Sequence, residues 1–202
     1  MHAALDARSL GQPEGWQPNE YQRELLAALG DRDPAEVEAE TPGLMRALIA
    51  EAGEHLRVRP APREWSVFQC IAHIVDAELV ISGRLRFILA QDQPPLPGYD
   101  QDLWINKMHV ADDESPDALL TWFEPLRAAN LRLWHSASPE DLRRVGMHSE
   151  RGPESFGLTF RLYAGHDLVH MDQARQTLEQ VRANSRRPCP IGDDVGGPAQ
   201  IR

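Results

Sequence analysis

His166 and His170 stand four residues apart in a segment with helical periodicity, and that spacing is the chemically most suggestive feature of the chain. Side chains at i and i+4 project from one helical face with Cβ atoms about 5–6 Å apart. Two imidazoles so placed converge on one divalent cation. A third nitrogen from a neighbouring helix would complete a facial set and leave positions open for water or substrate, as a reactive rather than a structural metal site requires. His73, near the start of another predicted helix, is one candidate for that third ligand. Spacing alone does not select it, because His2, His55, His109, His135 and His148 are also available, and His135, just after a predicted helix, is its strongest competitor. An H-x-x-x-H pair also arises often by chance on ordinary helices. The run His166-Asp167-Leu168-Val169-His170 lacks the Glu that a zinc-protease helix places directly after its first His, so a protease is disfavoured.

The elements that must carry these residues read as helices. Asn19 caps a short helix to about Leu29. Thr41-Pro42 reads as a cap followed by a first-turn proline, opening a helix to about Leu56. Ser66, with Gln69 three residues on, forms a capping-box pattern before a long amphipathic segment to about Ala90. Residues 92–114, with Pro, Gly and Asp, read as a crossover. Ser115-Pro116 opens a third long helix to about His135, Ser138–Asp141 a single turn, residues 143–157 a loop or short irregular hairpin, and Thr159 a last long helix to about Asn184. With no convincing strand pattern, the expected fold is all-α: an up-down four-helix bundle with a long crossover between helices 2 and 3. The expected organisation is an N-terminal extension over 1–35, a bundle over 36–184 and a flexible tail over 185–202.

Composition sets limits. The 202 residues are 42% hydrophobic, enough for one core, and the formal net charge is −10. Lys107 is the single lysine, and arginines are scattered, so no basic footprint for nucleic acid is present. Two cysteines, Cys70 and Cys189, make no disulfide framework. Neither a secretory leader nor a run of about 20 apolar residues is visible, so the expectation is a cytoplasmic protein without membrane or nucleic-acid partners.

Three motifs taken together, Arg59-Pro60-x-Pro62-x-x-Trp65-Ser66, His73-x-x-Asp76-x-Glu78 and His166-x-x-x-His170-x-x-Gln173, resemble the DinB-like (YfiT-like) superfamily of small four-helix metal-binding proteins over roughly residues 40–182. The resemblance implies a divalent metal held by His73, His166 and His170. It implies zinc or nickel, with manganese or iron also in use, and a homodimer. It further implies a small-molecule substrate and, as in bacillithiol- or mycothiol-dependent members, a low-molecular-weight thiol. The expected activity is a metal-dependent thiol S-transferase acting on small electrophiles. The alternatives are a metal-hydroxide hydrolase, a non-catalytic metal-binding stress protein or a dimeric interaction module. Around the metal, Asp76 is placed to orient His73 or a neighbouring ligand or else to be a solvated helix charge, and Gln173 to hydrogen-bond a bound ligand. Tyr163 is placed to reach the cleft or pack in the core. Glu78 needs a partner if buried, with Arg161 a candidate. Trp65 and Trp104 read as packing residues. Cys70, one turn before His73, reads as a buried thiol, with a fourth-ligand role conceivable; Cys189 reads as an improbable nucleophile.

Overall fold

Four long helices bring their buried faces together, and one guanidinium ties all four. The computed structural model describes residues 11–110 and 114–186. Of the expected tail, Ser185 and Arg186 fall within the described residues, and Ser185 is helical; Cys189 lies outside them. The helices are α1 (Glu20–Leu29), α2 (Pro34–Ala52), α3 (Val67–Ala90), α4 (Gln101–Met108), α5 (Pro116–Ser136) and α6 (Phe156–Ser185). The bundle is α2, α3, α5 and α6. Arg127 of α5 reaches Glu78 of α3 at 2.9 Å, Asp167 of α6 at 2.8 Å and Glu38 of α2 at 3.4 Å. Asn130 of α5 also donates to Glu78 at 2.7 Å. Glu78 therefore belongs to this cluster, with Arg127 rather than Arg161 as its partner. Burial opposes the charge on Arg127, but Asp167, Glu38 and Glu78 outweigh it and raise its pKa. Burial raises the pKa of Glu38 and Glu78 despite Arg127. It also opposes ionisation of Asp167, yet Arg127 prevails and holds that carboxyl below its ordinary value.

The Ser66–Gln69 capping box forms as expected, with Ser66 Oγ accepting from the Gln69 backbone at 3.3 Å and Gln69 Oε1 from the Ser66 backbone at 3.1 Å. Asn19 and Ser115 cap α1 and α5. The expected start at Thr41-Pro42 is corrected: α2 begins at Pro34, capped by Asp33, and runs through Pro42. Proline in a helix interior leaves the carbonyl four residues earlier without its donor. Here that carbonyl belongs to Glu38, and Arg127 Nη1 donates to it at 2.9 Å. Thr41 turns back to Val37 O at 3.0 Å. Tertiary bonding thus carries the helix through what reads locally as a start signal.

The segment 143–157 forms the hairpin, one of its two expected readings, and a strand of the crossover, which periodicity did not reveal, joins it in a small three-stranded sheet: β1 (Pro95–Leu96), β2 (Val145–His148) and β3 (Gly152–Ser155). β1 pairs parallel with β2, and β2 antiparallel with β3. These strands have two to four residues, too short to show alternation. The crossover also carries α4, capped by Asp100. Ser155, ending β3, caps α6, so α6 starts three residues before the expected Thr159.

The N-terminal α1 is part of the packed structure. It lies across α6 at Gly165, where an added Cβ would fall 2.1 Å from Leu25 O. Only glycine permits that approach, and it occurs one residue before His166. Apolar burial falls into two main clusters along α3, one built on Phe68, Ile71, Val75 and Phe123, the other on Ile81, Leu85, Phe156 and Phe160. No helix among the described residues is long and apolar enough to cross a membrane.

Candidate metal centre

α3 and α6 face each other along the middle of the bundle and bring His73, His166 and His170 together. The ring centroids are 4.9 Å apart for His73–His166, 4.4 Å for His73–His170 and 4.3 Å for His166–His170. Among the described residues these three form the group whose ligand atoms could share a metal ion, all within 4.8 Å of one another. The competitors do not join: His135 is exposed at the end of α5, while His55, His109 and His148 lie outside the group. His2 lies outside the described residues.

The donors fit a divalent cation. His73 Nε2 and His166 Nε2 are 3.0 Å apart. Two nitrogens each about 2.0–2.1 Å from one ion, at an octahedral or tetrahedral angle, stand about 2.8–3.4 Å apart. His170 Nδ1 lies 2.8 Å from Gln173 Oε1, which fixes the proton on Nδ1 and leaves the Nε2 lone pair free. Gln173 therefore bonds one imidazole of the triad directly. His166 Nδ1 is buried without a hydrogen-bond partner and faces Asp167 Oδ1 at 3.9 Å. Burial, reinforced by the neighbouring imidazoles, pushes the His73 pKa far below its usual value. Burial, then His166, takes that of His170 down to about 3. Both rings are thus neutral at pH 7, the form that ligates.

Trp65, immediately before the cap of α3, walls the centre. Its ring lies 5.0 Å from His73 and 6.2 Å from His170, and its Nε1 donates to Asp102 of α4 at 3.1 Å. A role against two of the three imidazoles was not legible in a tryptophan read as packing. Trp104 packs on Tyr99.

Asp76 does not orient His73. Its carboxylate meets His109 Nε2 at 3.0 Å, and Glu114 meets His109 Nδ1 at 2.9 Å. Burial opposes the charge on His109, but the two carboxylates outweigh it and raise its pKa. The bracketed ring fastens the end of the crossover to α3. Cys70 is fully buried, and burial pushes its thiol up to about 12, so it stays a neutral core thiol outside the three-histidine group.

Two cavities reach the centre. One, of about 410 Å³, is bordered by His73 and His166 together with Arg84, Tyr163, His148 and Tyr99. The other, of about 390 Å³, is bordered by His170, Gln173 and Trp65. Gln101 of α4 borders both. Tyr163 is 8% exposed, and its hydroxyl accepts from Arg84 Nη1 at 3.0 Å, so it packs in the core and lines the first cavity at once. Arg84 was not singled out from sequence, and His148 figured there only among the alternative third ligands. Arg84 follows His73 by eleven residues, about three helical turns, which places it on nearly the same face of α3. That spacing was the available signal. His148 sits on a strand too short to announce itself.

Comparison with known proteins agrees with this geometry. The DinB superfamily model matches residues 36–174. A protein of Oceanobacillus iheyensis, provisionally named a metal-dependent hydrolase, is 29% identical over 108 residues, covering 53% of this chain and 61% of that protein. One from Bacillus cereus with the same provisional name is 28% identical over 107 residues, covering 52% and 60%. The chain thus spans about three-fifths of the length of these relatives. YfiT from Bacillus subtilis, described as a probable metal-dependent hydrolase with an unusual four-helix bundle topology, superposes with a TM-score of 0.65 at 16% identity, covering 86% of this chain and 93% of that one.

Proposed function

This chain belongs to the DinB superfamily, and from its three-histidine centre we propose that it is a divalent-metal-dependent enzyme joining a small thiol to an electrophilic small molecule. The observation that carries this reading is the meeting of two cavities at one imidazole triad. Transfer between two substrates needs two binding places that reach one centre, and two such volumes border different members of the triad. A divalent cation held by His73, His166 and His170 lowers the pKa of a coordinated thiol or water and polarises a substrate oxygen.

The protein's own groups do the rest. The low pKa values of His73 and His170 keep their lone pairs available at neutral pH. Gln173 holds the His170 ring in one tautomer. Trp65 lays its ring against His73 and His170 and restricts how those rings can turn. In the reaction the thiol gives up its S–H proton to solvent, a C–S bond forms at the electrophilic carbon, and the leaving group departs with its bonding electrons. The volume beside the triad supports catalysis over passive metal storage.

The test is conjugate formation by the zinc- or nickel-loaded chain with bacillithiol, cysteine and glutathione against a panel of aryl and alkyl halides, read by mass spectrometry. Metal-dependent conjugates that vanish in His166→Ala, with helical circular dichroism retained, are expected. A second reading, hydrolysis, is favoured by the names of the relatives. Metal-dependent cleavage of esters or amides with no thiol present, and no conjugate formed, would replace the first reading by the second.

A further inference from the structure

The floor of the 410 Å³ cavity holds a buried cation with no anion to meet it. Arg84 is 4% exposed. Its Nη1 donates to Tyr163 Oη, its Nη2 to Pro97 O, and its Nε has no partner. Among the described residues no carboxylate lies within ion-pair distance of it. A buried guanidinium without a counter-charge is costly, and such groups are paired almost without exception. Beside it is His148, 3% exposed, whose Nδ1 accepts from the Glu150 backbone at 3.2 Å. That bond places the proton of the neutral ring on Nε2, and this buried N–H has no acceptor. Tyr163 Oη accepts from Arg84, which leaves its own proton free to donate. Arg84, His148 and Tyr163 all border one cavity, and between them they carry two buried N–H groups without an acceptor.

The other charges around the cavity narrow the ligand. Arg151 is already bound to Glu154 at 2.6 Å. Asp100 and Glu150 border the same cavity but are solvent-exposed, whereas Arg84 is buried. One unmatched positive charge lies inside and two screened carboxylates lie outside. That pattern suits a single carboxylate and disfavours a phosphate dianion or a polyanion. From this geometry we infer that Arg84, with Tyr163 and His148, forms a subsite for the carboxylate of a small-molecule substrate whose reacting end lies toward the triad. The Tyr163 ring, 5.7 Å from that of His166, connects the two ends. The inference rests on the proposed function for the word substrate, and on the cavity alone for the binding of a carboxylate.

The experiment compares butyrate with butyramide, equal in shape and different in charge, titrated by NMR into the full chain stripped of metal. Zinc titration of the same proteins runs in parallel. Butyrate should bind at least tenfold more tightly than butyramide. Arg84→Met should abolish that preference with zinc affinity unchanged, and Arg84→Lys should retain most of it. Equal binding of acid and amide by the natural chain, or an undiminished preference in Arg84→Met, overturns the inference. If Arg84→Met does not fold, the acid–amide ratio of the natural chain and of Arg84→Lys decides. Absence of zinc binding with the butyrate preference intact would remove the proposed function and leave this subsite standing.

Discussion

Arg127 and Arg84 are both buried arginines, 2% and 4% exposed, yet they live in opposite surroundings. Arg127 is enclosed by three carboxylates, a backbone carbonyl left free by Pro42 and the face of Phe123 at 4.8 Å. Every bundle helix contributes to that enclosure. Arg84 has a tyrosine, a carbonyl and an open cavity. The first arginine is satisfied by the fold, and the second is left for something the fold does not contain. Burial alone therefore does not separate a structural charge from a functional one; the count of counter-charges does.

Breaking the first region should have the largest effect. Arg127→Met would leave Glu38, Glu78 and Asp167 buried without their cation, and should lower unfolding free energy by about 3–5 kcal/mol, measured by urea denaturation. If the loss is under about 1 kcal/mol, the cluster is not what unites the helices.

Acid should weaken the cavity side next. In the metal-free protein the folded pKa of His73, His148 and His170 lies below the unfolded value of about 6.5. For His148, burial and then Arg151 bring it to about 4. Below about pH 6.5 the unfolded chain takes up protons that these rings refuse, so stability falls with pH at up to about 1.4 kcal/mol per pH unit for each. His109 has a raised pKa and acts oppositely: its contribution is complete below about 6.5 and is lost as pH rises through its folded value. The rings of His73, His148 and His170 pull unfolding midpoints down between pH 7 and pH 5, while His109 and the carboxyls of Glu38 and Glu78, whose folded pKa values are raised, work against that drop. His148→Phe should flatten the drop, and His109→Gln should steepen it.

Gln173→Ala should weaken zinc binding about tenfold by freeing the His170 tautomer, with little change in the stability of the metal-free protein. Arg84→Met should be the mildest of these in stability. It removes two hydrogen bonds and an uncompensated charge together, for a net loss under about 1 kcal/mol in the same urea assay. A loss matching that of Arg127→Met would erase the contrast between the two sites.

Features written in local chemistry were legible in the sequence. The caps at Asn19, Ser66 and Ser115 and the i, i+4 histidine pair depend on residues close together in the chain. His73 could be chosen only through the family resemblance, because its pairing with α6 is a matter of tertiary packing. Features decided by distant partners were misread or unseen. Thr41-Pro42 resembles a helix start until Arg127 supplies the missing donor. Asp76 reads as a neighbour of His73 until the crossover delivers His109. Glu78 has its partner on α5, and no pattern within α3 could say so. Arg84 reads as one more helix arginine until its lack of a carboxylate is known.

The central claim, that His73, His166 and His170 hold one divalent cation, is tested most directly by zinc calorimetry on the metal-stripped full chain beside His166→Ala, with His135→Ala as the exposed control. One zinc per chain, lost or weakened at least a hundredfold in His166→Ala and unchanged in His135→Ala, is the predicted result. Zinc affinity that is the same in His166→Ala as in the natural chain would contradict it.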